Sequence, residues 1–279
     1  MAARKKARRK TSKAVATTNT ALAIPAGMED EFAEFVNRDR ASATAAGWPY
    51  LSTQGATAQM TCAGQPVGCD RGPMIEAVVL GGLRVNQHYE GEFTPGKPTP
   101  PSCYAIADPS WEPEGVESKL APPADLKTKE SDKCSDCRFN AFGSGRGNAK
   151  ACKNTVRLAM LPAASDDFAK AEGFMLSAPP TAMKSWTAYV APLLAIKRPV
   201  LSVVTEIEKI PSEKGAGFTL AFSTLTTIQD KETLRAIMGR ARGDGGAALV
   251  QPPPAIGEGA TKSTGQRRRK VKKKARRKK

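Results

Sequence analysis

A mainly β, or α+β, fold held between two disordered basic ends is what the sequence predicts, and three observations predict it. Gly and Pro together supply 45 of the 279 residues, a density that cuts a chain into strands and loops rather than long helices. Apolar residues gather in short β-branched runs, such as VLSVVTEIEKI at 200–210. The net charge of +16 is confined to the ends: residues 1–13 hold seven Lys or Arg and residues 262–279 hold twelve, with no acid in either stretch. That leaves 24 basic against 27 acidic residues between them, a balance of −3. Blocks of like charge repel themselves, remain disordered and bind polyanions.

Taken in order, residues 1–26 form a disordered basic arm. Residues 28–46 have helical spacing through Met28, Phe32, Phe35 and Val36, with acids at the start where the helix dipole favours them. Residues 50–73 read as loop. Ile75, Val78, Val79 and Leu80 predict a strand, Gly81–Gly82 a turn or bulge, and Leu83–Tyr89 a second strand. Residues 94–130 are proline-rich and aperiodic, and a structureless excursion of that length needs something to pin it. Beyond it come a strand at 156–161, a short apolar run at 174–176, and a helix at 183–196 with Pro192 in its last turn. Strands at 200–210 and 218–225 flank a hairpin loop, and a short helix covers 231–240. Pro252–Pro254 end the ordered part, so the domain spans 27–250 and a disordered polybasic tail spans 251–279. Five or six strands with one embedded helix suit an OB-like small barrel. A generic mixed antiparallel domain fits the same pattern.

The stretch KCSDCRFNAFGSGRGNAKACK from Lys133 organises the middle of the chain. Cys134 and Cys137 stand at CxxC spacing and Cys152 follows fifteen residues later. Three thiolates do not complete a tetrahedral zinc site. Cys103, at the proline-rich excursion, supplies a fourth and would be the pin that excursion requires. The expectation is a structural Zn²⁺ on Cys103, Cys134, Cys137 and Cys152, stabilising an insertion at about 94–155. Cys62 and Cys69 are read as ordinary thiols, with a disulfide or second metal half-site as alternatives. His88, the single histidine, is read as a packing or surface residue, with zinc ligation as the alternative.

The chemistry-bearing residues are sparse. GSGRG at 143–147 lacks the Gly-Lys-Ser/Thr finish of a phosphate-binding P-loop. No nucleophile–base–acid set is legible, so the chain is expected not to be an enzyme. No run approaches the ~18 apolar residues of a membrane span. The basic rim and rings of this loop, Arg138, Phe139, Phe142, Arg146, Lys150 and Lys153, have the composition of a nucleic-acid surface, where cations follow the phosphates and rings stack on bases. A small core around the metal is the competing role for Phe139 and Phe142.

The ordered set PPSCYAIADP, CSDCRFNAFGSGRGNAKACKNTVRLAML, APPTAMKSWTAYVAPL and RPVLSVVTEIEKI resembles tailed-bacteriophage replication and recombination proteins that bind single-stranded DNA, over about residues 74–230. The resemblance implies an OB-like core that coats and protects single-stranded DNA in the host cytoplasm, on replicating viral DNA and beside phage replication proteins. It departs at the C-terminus, where such proteins usually carry an acidic tail and this chain carries a polycation. The alternative is a virion or nucleoid-associated structural protein whose arms neutralise packaged genome. On either reading the tails bind other nucleic acids without regard to sequence.

Overall fold

The computed structural model describes residues 48–52, 60–62, 65–67, 74–90, 99–108, 110, 116–212 and 218–255. The arm at 1–26, the helix expected at 28–46, Cys69, Trp111 and everything beyond 255 lie outside the described residues, as does the side chain of Cys62. The described residues belong to one unit beginning at Gly47.

The strands are β1 (Leu51–Ser52), β2 (Met60–Cys62), β3 (Gln65–Val67), β4 (Met74–His88), β5 (Cys103–Ile106), β6 (Lys153–Pro162), β7 (Phe174–Ala178), β8 (Val203–Pro211) and β9 (Phe218–Thr227). The helices are α1 (Val116–Lys119), α2 (Met183–Ala195), α3 (Lys231–Arg242) and α4 (Asp244–Val250). β1, β2 and β3 form a small antiparallel sheet. The main sheet runs β7-β6-β4-β8-β9, with β5 also paired to β4.

β4 is the central strand because its fifteen residues serve three partners. Met74–Val78 pair with β8, Ala77–Gln87 with β6, and Val85–His88 with β5. The expected break at Gly81–Gly82 is a β-bulge in one continuous strand, where the register with β6 shifts between Val79 and Gly81. Glycine inside a strand commonly marks such a site. The bulge reverses the side-chain alternation: Val78, Leu80 and Leu83 pack in one core, whereas Ile75, Ala77 and Val79 pack in the other.

Those two cores lie on opposite faces. On one, Ile75, Val79, Leu158, Met160, Ile207 and Phe222 meet Tyr189 and Leu193 of α2, with Trp186 packed alongside. On the other, Val78, Leu80, Leu161 and Val204 meet Ile237 of α3 and Leu249 of α4. α4 sits close to the sheet: a Cβ on Gly245 would stand 2.6 Å from Leu80 Cδ1 and 2.9 Å from the Arg240 carbonyl oxygen. α3 is capped by Asp230, whose side chain accepts from the Thr233 N–H at 2.7 Å.

The OB-like barrel is therefore corrected. A barrel closes when its end strands pair. Here β7 and β9 stand at opposite ends of the strand order and do not pair, so the sheet is open. The physical reason lies in the sequence of β4 and β6. Val78, Val79 and Leu80, and likewise Leu158 through Leu161, are buried consecutively. Strands covered on both faces need helical layers on both sides, whereas a small barrel wetted on its outside would alternate. α2, expected to plug a barrel, covers one face instead. The run expected as strand from Val200 begins with a 3-10 turn at Val200–Ser202 before β8. α4 was not expected from the sequence.

Candidate functional site

The cysteine stretch sits at one end of the main sheet, and the strand register explains why. Cys103 opposes His88 across the β4–β5 ladder, and Lys153 opposes Gln87 across the β4–β6 ladder. Cys103 and Cys152 thus flank the last residue of β4. Two 3-10 turns, Cys134–Asp136 and Arg138–Asn140, fold back over that end. The N–H of Cys134 donates to the Leu120 carbonyl at 2.9 Å and that of Cys152 to the Phe139 carbonyl at 2.8 Å. Cys103, Cys134, Cys137 and Cys152 all border one small pocket with His88, Phe139 and Asn140. The four residues expected as metal ligands therefore line the same pocket.

The zinc expectation is corrected. Among the described residues no group of three or more His, Cys, Asp or Glu side chains is arranged to hold a metal ion. The four cysteines are free thiols. CxxC spacing brings thiols to one place without by itself making a metal site. Cys134 packs into an apolar cluster with Ala105, Ala107 and Leu120. Burial raises the pKa of Cys103 and Cys134, and it pushes Cys152 up to about 12 with help from the neighbouring cysteines, so the uncharged thiol is favoured. Within the long excursion expected to need a metal pin, the described residues Ala105, Ala107 and Leu120 are held by that cluster and by the Cys134–Leu120 backbone bond. His88 is a packing residue: its ring stacks on Phe139 with centroids 4.1 Å apart, and its Nδ1 lies 3.0 Å from Ser102 Oγ.

The glycine-rich loop is more ordered than its composition suggests. The N–H groups of Gly143 and Gly145 both donate to the Ala149 carbonyl, at 3.2 and 2.9 Å. Ser144 Oγ lies 2.9 Å from the Phe139 carbonyl oxygen and accepts from the Ala151 N–H at 3.0 Å. Gly143 and Gly147 take φ values of 84° and 64°, a conformation that costs other residues more.

The six residues expected to face nucleic acid divide. Phe139 is spent on His88. Arg138 bonds the Glu130 carboxylate at 2.9 Å, and its guanidinium lies 4.7 Å from the Phe139 ring centroid. Phe142 is 75% exposed, with Lys150 Nζ 4.9 Å from its ring centroid. Lys150 also donates to Asn140 Oδ1 at 3.2 Å. Arg146 and Lys153 are exposed.

Sequence reasoning missed the neighbouring cluster around Arg157. This side chain, 2% exposed on β6, donates through Nη1 to the carbonyl oxygens of Leu249, at 3.0 Å, and Gln251. Burial lowers its pKa, opposed by Tyr50, Tyr89 and Tyr104. Tyr89 O–H donates to the Pro254 carbonyl at 3.1 Å, and burial pushes its pKa up to about 12. Together they fasten residues 249–254 to the sheet end. An Arg inside an apolar strand, NTVRLAML, was the available signal.

No family model matches the chain, and comparison with curated proteins and with solved structures finds no match to either. The resemblance to phage single-stranded-DNA-binding proteins is thereby left without the OB-like core or the metal clamp it implied. The strand-coating function drawn from it is corrected with them. That function was built on a closed barrel and a metal-braced insertion, and neither is present among the described residues.

Proposed function

We propose that the chain is a sequence-blind nucleic-acid-binding protein that holds phosphate backbones through its polybasic ends, with the open-sheet body as their anchor. The observation that carries the reading is the charge distribution. Nineteen of the 43 basic residues lie in residues 1–13 and 262–279 without one acid, while the rest of the chain carries −3. Cations on a chain of that composition meet a phosphate polymer by releasing its counterions, a favourable term that reads no bases. A body of slight negative charge contributes little attraction of its own, so affinity resides at the ends. The fastening of residues 249–254 by Arg157 and Tyr89 supports an anchoring role for the body.

The test uses the full chain with the nineteen end cations replaced by Gln, and fluorescence anisotropy with several duplexes of unrelated sequence at fixed low salt. The unmodified chain binds all of them within a few-fold of one another, and the neutralised chain loses at least a hundred-fold on each. Undiminished binding after neutralisation would overturn the reading.

A further inference from the structure

We propose that Cys134 and Cys137 form a reversible dithiol site, oxidised to an internal disulfide by small disulfides of the glutathione class. The site is independent of the nucleic-acid reading, since no charged end takes part in it. Strand geometry first separates the other two cysteines of the pocket. Cys103 opposes His88 from β5, while Lys153, the residue after Cys152, opposes Gln87 from β6. Cys103 and Cys152 therefore stand on opposite sides of β4, two strand spacings or about 9.5 Å apart. A disulfide needs Cα atoms within about 7 Å of each other.

Cys134 and Cys137 meet that requirement. They span the 3-10 turn Cys134–Asp136, closed by the Cys137 N–H donating to the Cys134 carbonyl at 3.4 Å. A rise of about 2.0 Å per residue sets their Cα atoms about 6 Å apart, and side chains three residues apart lie on one side of such a turn. Both residues border the same pocket. Asn140 braces the turn: its Nδ2 donates to the Cys134 carbonyl at 2.8 Å and its backbone N–H to the Cys137 carbonyl at 2.9 Å. Cys103 also borders the pocket, yet no turn presets its distance to Cys137.

The two thiols are unequal in access. Cys137 is half-buried and Cys134 is buried. Cys137 is therefore the point of entry. Its thiolate attacks one sulfur of oxidised glutathione, the S–S bond of that molecule breaks, and one glutathione leaves as a thiolate. The Cys134 sulfur then attacks the Cys137 sulfur of the mixed disulfide and expels the second glutathione. The two protein thiols give up two protons and two electrons, and one glutathione disulfide becomes two glutathione thiols.

The experiment uses the full chain, reduced, freed of reductant and equilibrated under nitrogen with glutathione buffers of graded oxidised-to-reduced ratio. Acid quenching, iodoacetamide blocking and peptide mass spectrometry identify every bond formed, with Cys62 and Cys69 included in the map. The expected product is a peptide unalkylated at Cys134 and Cys137, two hydrogens short, and restored by dithiothreitol. Its equilibrium constant in the folded chain should exceed that in the urea-unfolded chain by about ten-fold, because the turn presets the geometry. C103S should form the same bond with the same constant. Pairing of Cys137 with Cys103, arrest at the mixed disulfide, alkylation of both thiols at every ratio, or a constant no greater than in urea would each overturn the proposal.

Discussion

Arg157 Nη1 donates to the carbonyl oxygen of Leu249 at 3.0 Å, tying the middle of β6 to the end of α4 across 92 residues of sequence. The guanidinium is buried and also reaches the Gln251 carbonyl. It satisfies carbonyl groups that the end of a helix leaves without partners. R157M keeps much of the volume and removes the donors. It should cost about 2–3 kcal/mol in denaturant unfolding and lower amide-exchange protection in α4 before the rest of the sheet. Protection in α4 equal to that of the parent would show that the tie is unimportant.

His88 is held below its ordinary pKa. Burial is the main cause, opposed by Glu90 and Glu130 and aided by Arg138. The folded state therefore disfavours the protonated ring, and the unfolded state takes up a proton first as pH falls through about 6.5. The contribution is fully present above that pH and is lost as pH falls toward the lower folded value. Stability of the parent should decline from pH 7 to pH 5 more steeply than that of H88Q. Parallel pH profiles would contradict the burial and stacking ascribed to this ring.

The four cysteines of the sheet end should differ in reactivity. Cys103 and Cys137 are half-buried, whereas Cys134 and Cys152 are buried, and the Cys152 thiol is pushed up to about 12. Alkylation requires thiolate and access. Timed iodoacetamide labelling of the native chain, read by peptide mass spectrometry, should mark Cys103 and Cys137 before Cys134, with Cys152 last. Early labelling of Cys152 would contradict the packing described here.

Gly245 of α4 sits tightly against Leu80 of β4. Gly245→Ala should destabilise the fold by about 1–3 kcal/mol, because the methyl group would press on Leu80 Cδ1 and the Arg240 carbonyl. Gly239 on α3 has open space around the same added atom. Gly239→Ala should be neutral or stabilising by up to about 1 kcal/mol. Equal effects at the two sites in thermal unfolding would contradict the close contact.

Much of the local structure was legible. The runs at 156–161, 183–196 and 218–225 fall within or nearly coincide with β6, α2 and β9, because apolar spacing and flanking Pro or Gly act over a few residues. The sheet order was not, since pairing β4 with β6, β8 and β5 depends on contacts distant in sequence. Gly81–Gly82 signalled a turn or bulge, and burial on both faces selected the bulge. At the site, Cys134, Cys137 and Cys152 line one pocket, but no metal-binding group is found among the described residues. Arg138 and Phe139 had the composition of a binding surface, yet Glu130 and His88 occupy them. His88 is far from Phe139 in sequence and outside any local window, whereas Glu130 lies close before Arg138 and their pairing depends on how the 3-10 turn between them folds.

If the charged ends hold the nucleic acid, as proposed, the salt dependence of binding reads it out. Duplex affinity of the full chain should be measured from 50 to 300 mM salt, beside the full chain with all nineteen end cations replaced by Gln. The slope should be steep for the parent and shallower in the neutralised chain by about 0.9 for every end cation that meets a phosphate. The same slope and affinity in both proteins would contradict the proposal.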